Sequence, residues 1–208
     1  MTEPDNVELI WSNAVAEVHR FVVGPVDNNV YVVRCRATGT SVLIDAANEH
    51  DRLLRVAQRL GVASVVETHG HWDHIGAVEA VRDAGLAVWV RAEDAHRLPS
   101  YDQLLDDDAV LSVGELKLRT LHTPGHTPGS ICFALEGTPL LFTGDTLFPG
   151  GPGNTSFDDG DFTTIIHSIE DRIFRPFSAS TIIWPGHGAS SSLGNEQPHL
   201  DEWVARGW

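Results

Sequence analysis

Thr68-His69-Gly70-His71-Trp72-Asp73-His74 packs three imidazoles and a carboxylate into the six positions from 69 to 74. The run before it, Ser64 to Glu67, is short, apolar and β-branched and reads as a buried strand, so the cluster begins where a strand ends. Histidine and aspartate are the donors that zinc or ferrous iron takes when a coordination position must stay open, whereas structural zinc is usually held by several thiolates. The two cysteines, Cys35 and Cys132, lie far from this segment and from each other, without CxxC spacing. They read as buried free thiols.

Working outward, further ligand candidates follow predicted strands and have glycine beside them: His126 in Thr123-Pro124-Gly125-His126-Thr127-Pro128-Gly129-Ser130, Asp145 in Gly144-Asp145-Thr146, and His187 in Pro185-Gly186-His187-Gly188. Glycine lets backbone and substrate approach closely. With His69, His71, Asp73 and His74 this makes seven candidates. Two metals sharing one bridging carboxylate would use seven protein ligands and leave room for a hydroxide, a nucleophile at neutral pH. Any one of these histidines alone is an ordinary core or surface imidazole. Histidines 19, 50, 96, 167 and 199 lack the strand-end context and keep that reading, while His122, at a strand end before His126, is a candidate to brace the site from behind.

The rest of the pattern predicts strands near Ala16 to Val23, Asn29 to Cys35 and Ser41 to Asp45, then a helix capped by Asp51, with Leu53, Leu54, Ala57 and Leu60 on one face and Gly61 as its stop. Helical turns are expected over Gly76 to Ala84 and Ala92 to Leu98, around a strand at Leu86 to Val90. The acidic stretch Asp102 to Asp108 reads as a solvated loop without chemistry. Val110 to Val113, Glu115 to Leu121, Ser130 to Leu135 and Pro139 to Thr143 form a second strand-rich block. A loop over Thr146 to Gly160, a helix over Asp161 to Phe174 and a last strand at Thr181 to Trp184 complete the series. A meander, helix and strand thus recur as one plan used twice. Pattern alone leaves two facing sheets and one open sheet both open.

The 208 residues suit one domain over residues 1–208, and 42% hydrophobic with 21% charged residues is a globular composition. The formal charge of −15 argues against a nucleic-acid partner, and no polybasic run or apolar stretch of bilayer length speaks for a membrane. Met1 to Asn6 is acidic with no visible secretory signal, which makes the cytoplasm the expected compartment. Trp203 and Trp208 are candidates to pack on the core or on a partner.

In this order, His69-x-His71-x-Asp73-His74, His126, Asp145 and His187 resemble the metallo-β-lactamase-fold hydrolases. The resemblance covers nearly the whole chain, including Asp27-Asn28-Asn29-Val30-Tyr31 and Val42-Leu43-Ile44-Asp45. It implies an α/β (α+β) fold, the four-layer αβ/βα sandwich, with metals at one edge. By the family's usage His69, His71 and His126 would hold the first metal, Asp73, His74 and His187 the second, and Asp145 would bridge them. The aspartate at 145, with no cysteine among the ligands, looks like the glyoxalase II branch rather than the antibiotic-cleaving enzymes, many of which place Cys or Ser in that set.

Within that branch, Gly125-His126-Thr127-Pro128-Gly129-Ser130 and Gly144-Asp145-Thr146-Leu147-Phe148 look like hydroxyacylglutathione hydrolase and its short bacterial relatives. Full-length glyoxalase II has a helical C-terminal domain that supplies glutathione contacts, and here residues 188–208 follow His187, so the carrier thiol stays open. Gly151-Pro152-Gly153-Asn154-Thr155-Ser156 stands where many relatives carry Gly-Arg-Thr-Asp, and Asn154 supplies no guanidinium fork for a carboxylate. The loop is read as a pocket wall, with Phe148, Phe157 and Asn154 as substrate contacts.

The resemblance therefore implies hydrolysis of a small thioester or ester by attack of a metal-bound hydroxide, with Asp73 orienting the nucleophile. Two divalent ions are expected, Zn2+ first and Fe or Mn as alternatives. A persulfide dioxygenase with a single iron held by His69, His126 and Asp145 is the rival from another class, and a lactonase the rival within hydrolysis.

Overall fold

The computed structural model describes residues 5–207. Trp208 and residues 1–4, on which the reading of the N-terminus partly rests, lie outside the described residues. Seven strands form the first sheet in chain order: β1 (Glu8–Ser12), β2 (Ala16–Val23), β3 (Asn28–Cys35), β4 (Ser41–Ile44), β5 (Val62–Val66), β6 (Ala87–Arg91) and β7 (Gln103–Leu105). The first four are antiparallel, and β4 to β7 are parallel. A second sheet has six strands in the order β15 (Ser191–Ser192), β14 (Ile182–Pro185), β11 (Leu140–Gly144), β10 (Ile131–Leu135), β9 (Leu116–His122) and β8 (Val110–Val113). There β11 and β14 are the parallel pair.

Strand alternation explains how the sheets stack. In β3, Val30 and Val32 face one core with Leu43 of β4 and Val65 of β5, while Tyr31 and Val33 face another with Ile44 and Val66. In β10, Phe133 and Leu135 join that second core and Cys132 and Ala134 turn to a third. The first core is closed by α1 (His50–Leu60) and α3 (Val78–Asp83), the middle one lies between the two sheets, and the third is closed by α4 (Phe162–Ser168) and α6 (Leu200–Arg206). Helix, sheet, sheet, helix is the four-layer order expected. Each fully buried Leu, Ile or Phe in these layers contributes about 2 kcal/mol.

The duplicated plan is real: β2–β4, α1 and parallel β5 on one side match β9–β11, α4 and parallel β14 on the other. Several local expectations are corrected. Asp51 lies inside the first turn of α1; the cap is Glu49, left-handed at φ 51, whose carboxylate accepts from the Gly24 amide and Arg52 instead of the helix. Gly61, at φ 70, does stop that helix. The stretch 102–108 is not a plain loop, because it contains edge strand β7 with Leu105 buried, and its acids are used: Asp102 takes the Val88 amide and Arg82, and Asp107 and Asp108 take Arg172. Helical structure over 92–98 shrinks to Ala95–Arg97, and Gly76–Ala84 narrows to α3, preceded by an unforeseen single turn, α2 (Trp72–Ile75). The helix over 161–174 turns π-helical from Ile169 to Phe174, with Asp161 capping its start through the Thr164 amide. Strand β1, the small hairpin β12 (Leu147–Phe148) and β13 (Gly151–Pro152), and the C-terminal β15, α5 (Leu193–Glu196) and α6 were not anticipated. Trp203 is in the core, against Phe174. Among the described residues no helix is long and apolar enough to cross a membrane.

Candidate metal centre

Four strand ends carry the seven candidates. The 68–74 segment leaves β5, His126 lies in the loop after β9, Asp145 directly follows β11, and His187 follows β14. Parallel pairs β4–β5 and β11–β14 send the chain out at the same end of each sheet, so the loops converge at one edge of the sandwich. The single turn of α2 presents Asp73 and His74 together, and a bridge between Asn28 and His187 ties the last loop to the first sheet.

The side chains meet in three overlapping groups, with His69, His74 and Asp145 joining the two outer ones. His69 Nε2 lies 3.1 Å from His71 Nδ1, and these two form one cluster with His126. His74 Nε2 lies 3.3 Å from His187 Nε2 and 3.5 Å from Asp73 Oδ2, the second cluster. Asp145 stands between them, Oδ1 at 3.5 Å from His74 Nε2 and Oδ2 at 3.6 Å from both His126 Nε2 and His187 Nε2. A tetrahedral cation with bonds of 2.0–2.1 Å separates its donors by about 3.3–3.4 Å. The observed spacings fit it. His126 Nε2 and Asp145 Oδ1 are also buried without a hydrogen-bond partner, a costly arrangement that a cation relieves.

The lone pairs are aimed from behind. Nδ1 of His74 donates to Asp45 Oδ2 at 2.8 Å, that of His126 to the Asn154 carbonyl at 2.7 Å, and that of His187 to the Val26 carbonyl at 2.9 Å. His69 Nδ1 lies 3.1 Å from Thr68 Oγ1, whose own proton goes to Asp45. Each ring is thereby held in the tautomer that leaves Nε2 facing the centre. Asp94, fully buried, accepts from the Gly70 amide at 2.7 Å, Thr127 Oγ1 at 2.7 Å and the Gly129 amide at 2.9 Å, so the loops of His69, His71 and His126 hang on one carboxylate. Asn28 Nδ2 donates to Asp73 Oδ2 at 2.9 Å, while Asn29 and the Tyr31 hydroxyl hold the Pro185 carbonyl.

Charge follows from burial. Burial, then neighbouring imidazoles, holds His69 well below the usual histidine range and His71 down to about 4, so both rings are neutral donors. Burial lowers His126 too. Burial acts the same way on His74, but the Asp145 and Asp45 carboxylates override it and raise that ring well above the ordinary value. Burial opposes ionisation of Asp73 and Asp145; contacts with His187 and His74 respectively override it and keep both carboxylates charged. Behind them, burial and then Asp45 push fully buried Glu67 well above the carboxylate range.

Gly125 has φ 131 and a Cβ placed there would lie 2.3 Å from the Ile165 amide nitrogen of α4. Gly125→Ala is expected to destabilise the protein by about 3 kcal/mol in urea unfolding and to displace His126. An unchanged midpoint contradicts this.

A cavity of about 610 Å³ opens over the two clusters, within the range of small-molecule sites. Phe148 lines it and stacks 6.4 Å from the His187 ring, and Phe157 lies 4.9 Å from His71. Asn154 is on the wall, but its carbonyl serves His126 and its Oδ1 accepts the Ser156 amide. His122 bonds the Pro128 carbonyl, bracing the His126 loop without touching a ligand. Asp45, Asp94, Asn28 and the wall residue Arg206 were missed. A carboxylate closing a buried strand signalled Asp45; nothing local signalled Arg206.

The model of the metallo-beta-lactamase superfamily matches residues 23–187. A hydroxyacylglutathione hydrolase of Rhodospirillum rubrum is 35% identical over 174 residues, covering 82% of this chain and 66% of that protein. The hydroxyacylglutathione hydrolase GloC of Haemophilus influenzae is 34% identical, covering 76% of this chain and 84% of its own. Among solved structures, the BLEG-1 B3 metallo-beta-lactamase aligns with a TM-score of 0.81 at 30% identity, covering 88% of this chain and 97% of that one. ETHE1 from Myxococcus xanthus aligns at 0.80 and 28%, covering 91% and 89%.

Proposed function

The chain belongs to the metallo-beta-lactamase superfamily as a metallo-hydrolase, and from that premise we propose that it cleaves a small thioester at a two-cation site. His69, His71 and His126 would hold one ion, Asp73, His74 and His187 the other, and Asp145 would bridge. The carrying observation is the placement of Asp145, 3.5–3.6 Å from one nitrogen of the first cluster and two of the second. Zinc is the ion proposed, with iron or manganese as alternatives. Bound divalent ions supply Lewis acidity toward an acyl oxygen and bring the pKa of water near 7.

The chain's own residues do the rest. Asp73, fixed by Asn28, would accept a hydrogen bond from the nucleophile and orient it toward the acyl carbon. Phe148, Phe157 and Trp72 shield the acyl group from solvent, and the glycine-rich wall at 150–153 leaves space for it. A thiolate leaves without general-acid help, which agrees with a cavity whose acids and bases are all in the proposed ligand set. Two buried free thiols fit a cytoplasmic setting.

The dioxygenase reading uses His69, His126 and Asp145 and leaves the group of Asp73, His74 and His187 without an ion, so metal identity and oxygen consumption separate the two readings. Hydrolysis of S-D-lactoylglutathione by protein of counted metal content, before and after chelation, tests the proposal. Metal-dependent kcat/KM of about 10⁴ M⁻¹s⁻¹ or more is expected for a matching thioester. Thioester turnover that survives full removal of metal contradicts it.

A further inference from the structure

Asp94 follows β6 and opens the single turn Ala95–Arg97, a position from which an aspartate usually caps its own helix. Its carboxylate makes no such cap and turns to other loops. Fully buried, it accepts from the Gly70 amide and the Thr127 hydroxyl on Oδ2, each at 2.7 Å, and from the Gly129 amide on Oδ1 at 2.9 Å. Two loops far apart in the chain thus share one side chain. They come this close because both are bare at the contact: a Cβ on Gly129 would stand 2.5 Å from Asp94 Cγ, and one on Gly70 2.6 Å from Arg97 Cδ.

These bonds fall on one side of the metal centre. Gly70 joins His69 to His71 and Thr127 follows His126, so they lead to the backbone of all three first-cluster residues. Among the described residues none leads to α2, with Asp73 and His74, or to the loop of His187; those side chains are braced by Asn28, Asp45 and the Val26 carbonyl. His71 depends most on this arrangement. Its ring meets His69 and Phe157, and among the described residues no oxygen bonds it from behind. Its aim comes from the backbone, held on one side by Asp94 at Gly70 and on the other by the first turn of α2.

Resting on the two-cation reading, we propose that Asp94 is the positioning residue of the first cation site: it brings His69 and His71 on one loop into register with His126 on the other, and so sets the affinity of that site apart from the second. An amide of the same shape does not replace it. With the amide oxygen at the Oδ2 position, its NH2 group faces the Gly129 amide; turned over, it faces the Gly70 amide and the Thr127 hydroxyl. Either way a buried N–H loses its acceptor and the two loops are no longer held to one point.

Zinc affinity of the chelator-stripped protein, measured by competition with a chromophoric chelator, tests this without turnover. His187→Ala disables the second cluster and His126→Ala the first, so each background reports one site. Asp94→Asn is expected to weaken zinc binding about tenfold to a hundredfold in the His187→Ala background and by less than about threefold in the His126→Ala background. Thr127→Val removes one donor and leaves the carboxylate in place. It should give a smaller loss, confined to the same His187→Ala background, and it carries the comparison alone if the urea midpoint shows that Asp94→Asn does not fold. A residue that merely stabilised the fold would move both sites alike. Equal losses in the two backgrounds, no loss in the His187→Ala background, or a loss confined to the His126→Ala background overturns the inference and leaves the two-cation reading standing. Uptake of fewer than two zinc ions by the wild-type protein overturns that reading, and the inference falls with it.

Discussion

Asp145→Ala is expected to lower kcat/KM by about a thousandfold or more and to reduce the metal content from two ions to at most one per chain. The carboxylate lies within 3.6 Å of nitrogens from both clusters, His126 on one side and His74 and His187 on the other. Removing it leaves three imidazoles converging without an anion between them, so two cations would repel across the gap with nothing to share. Loss of one Lewis acid removes several kcal/mol of transition-state stabilisation, which is the expected factor. The count by elemental analysis and the turnover must move together. Full turnover with one ion, or two ions retained in the variant, contradicts the bridging role.

Asp73→Asn separates positioning from charge. The amide is nearly the same size, so at least one ion should remain, but Oδ2 now faces the Asn28 amide at 2.9 Å and the His187 ring at 3.3 Å without its negative charge. One orientation of the new side chain sets two NH2 groups against each other, and the other gives up the oxygen that accepts from water. A fall in kcat of about a hundredfold to a thousandfold with little change in KM is expected, the pattern of an interaction made in the transition state. Turnover within threefold of wild type with metal bound contradicts it. Asn28→Ala should reproduce a smaller version of the same loss, since it frees the carboxylate without removing it.

What could be read ahead of the structure divides by chain distance. The cluster at 69–74 is local, and its exit from a buried strand placed it at a sheet edge; His126, Asp145 and His187 were legible because each sits beside glycine where a predicted strand stops. The two-sheet stacking was expected from the family resemblance alone, because the strand pattern left one open sheet equally possible; in the structure strands such as β3 are buried on both faces. Asp45 and Asp94 act through hydrogen bonds to loops 23–35 positions away; Asp45 at least closes a buried strand, whereas no local pattern distinguishes Asp94 from a solvated aspartate. The β7 edge strand was hidden by its acidic neighbours, whose charges are taken up by Arg82 and Arg172. Two-residue strands such as β12 and β15 carry too little periodicity to register. Arg206 lines the cavity from α6, about fifty residues after the glycine-rich wall at 150–153, on the helix whose Trp203 is buried in the third core.

The central claim is that seven side chains make one two-ion hydrolytic site. Its most direct test is an anaerobic titration of chelator-stripped protein with zinc, following thioester cleavage at each added equivalent. The account predicts activity that rises to a plateau at two ions per chain without oxygen. A plateau at one equivalent, or turnover that appears only with iron and consumes oxygen, contradicts it.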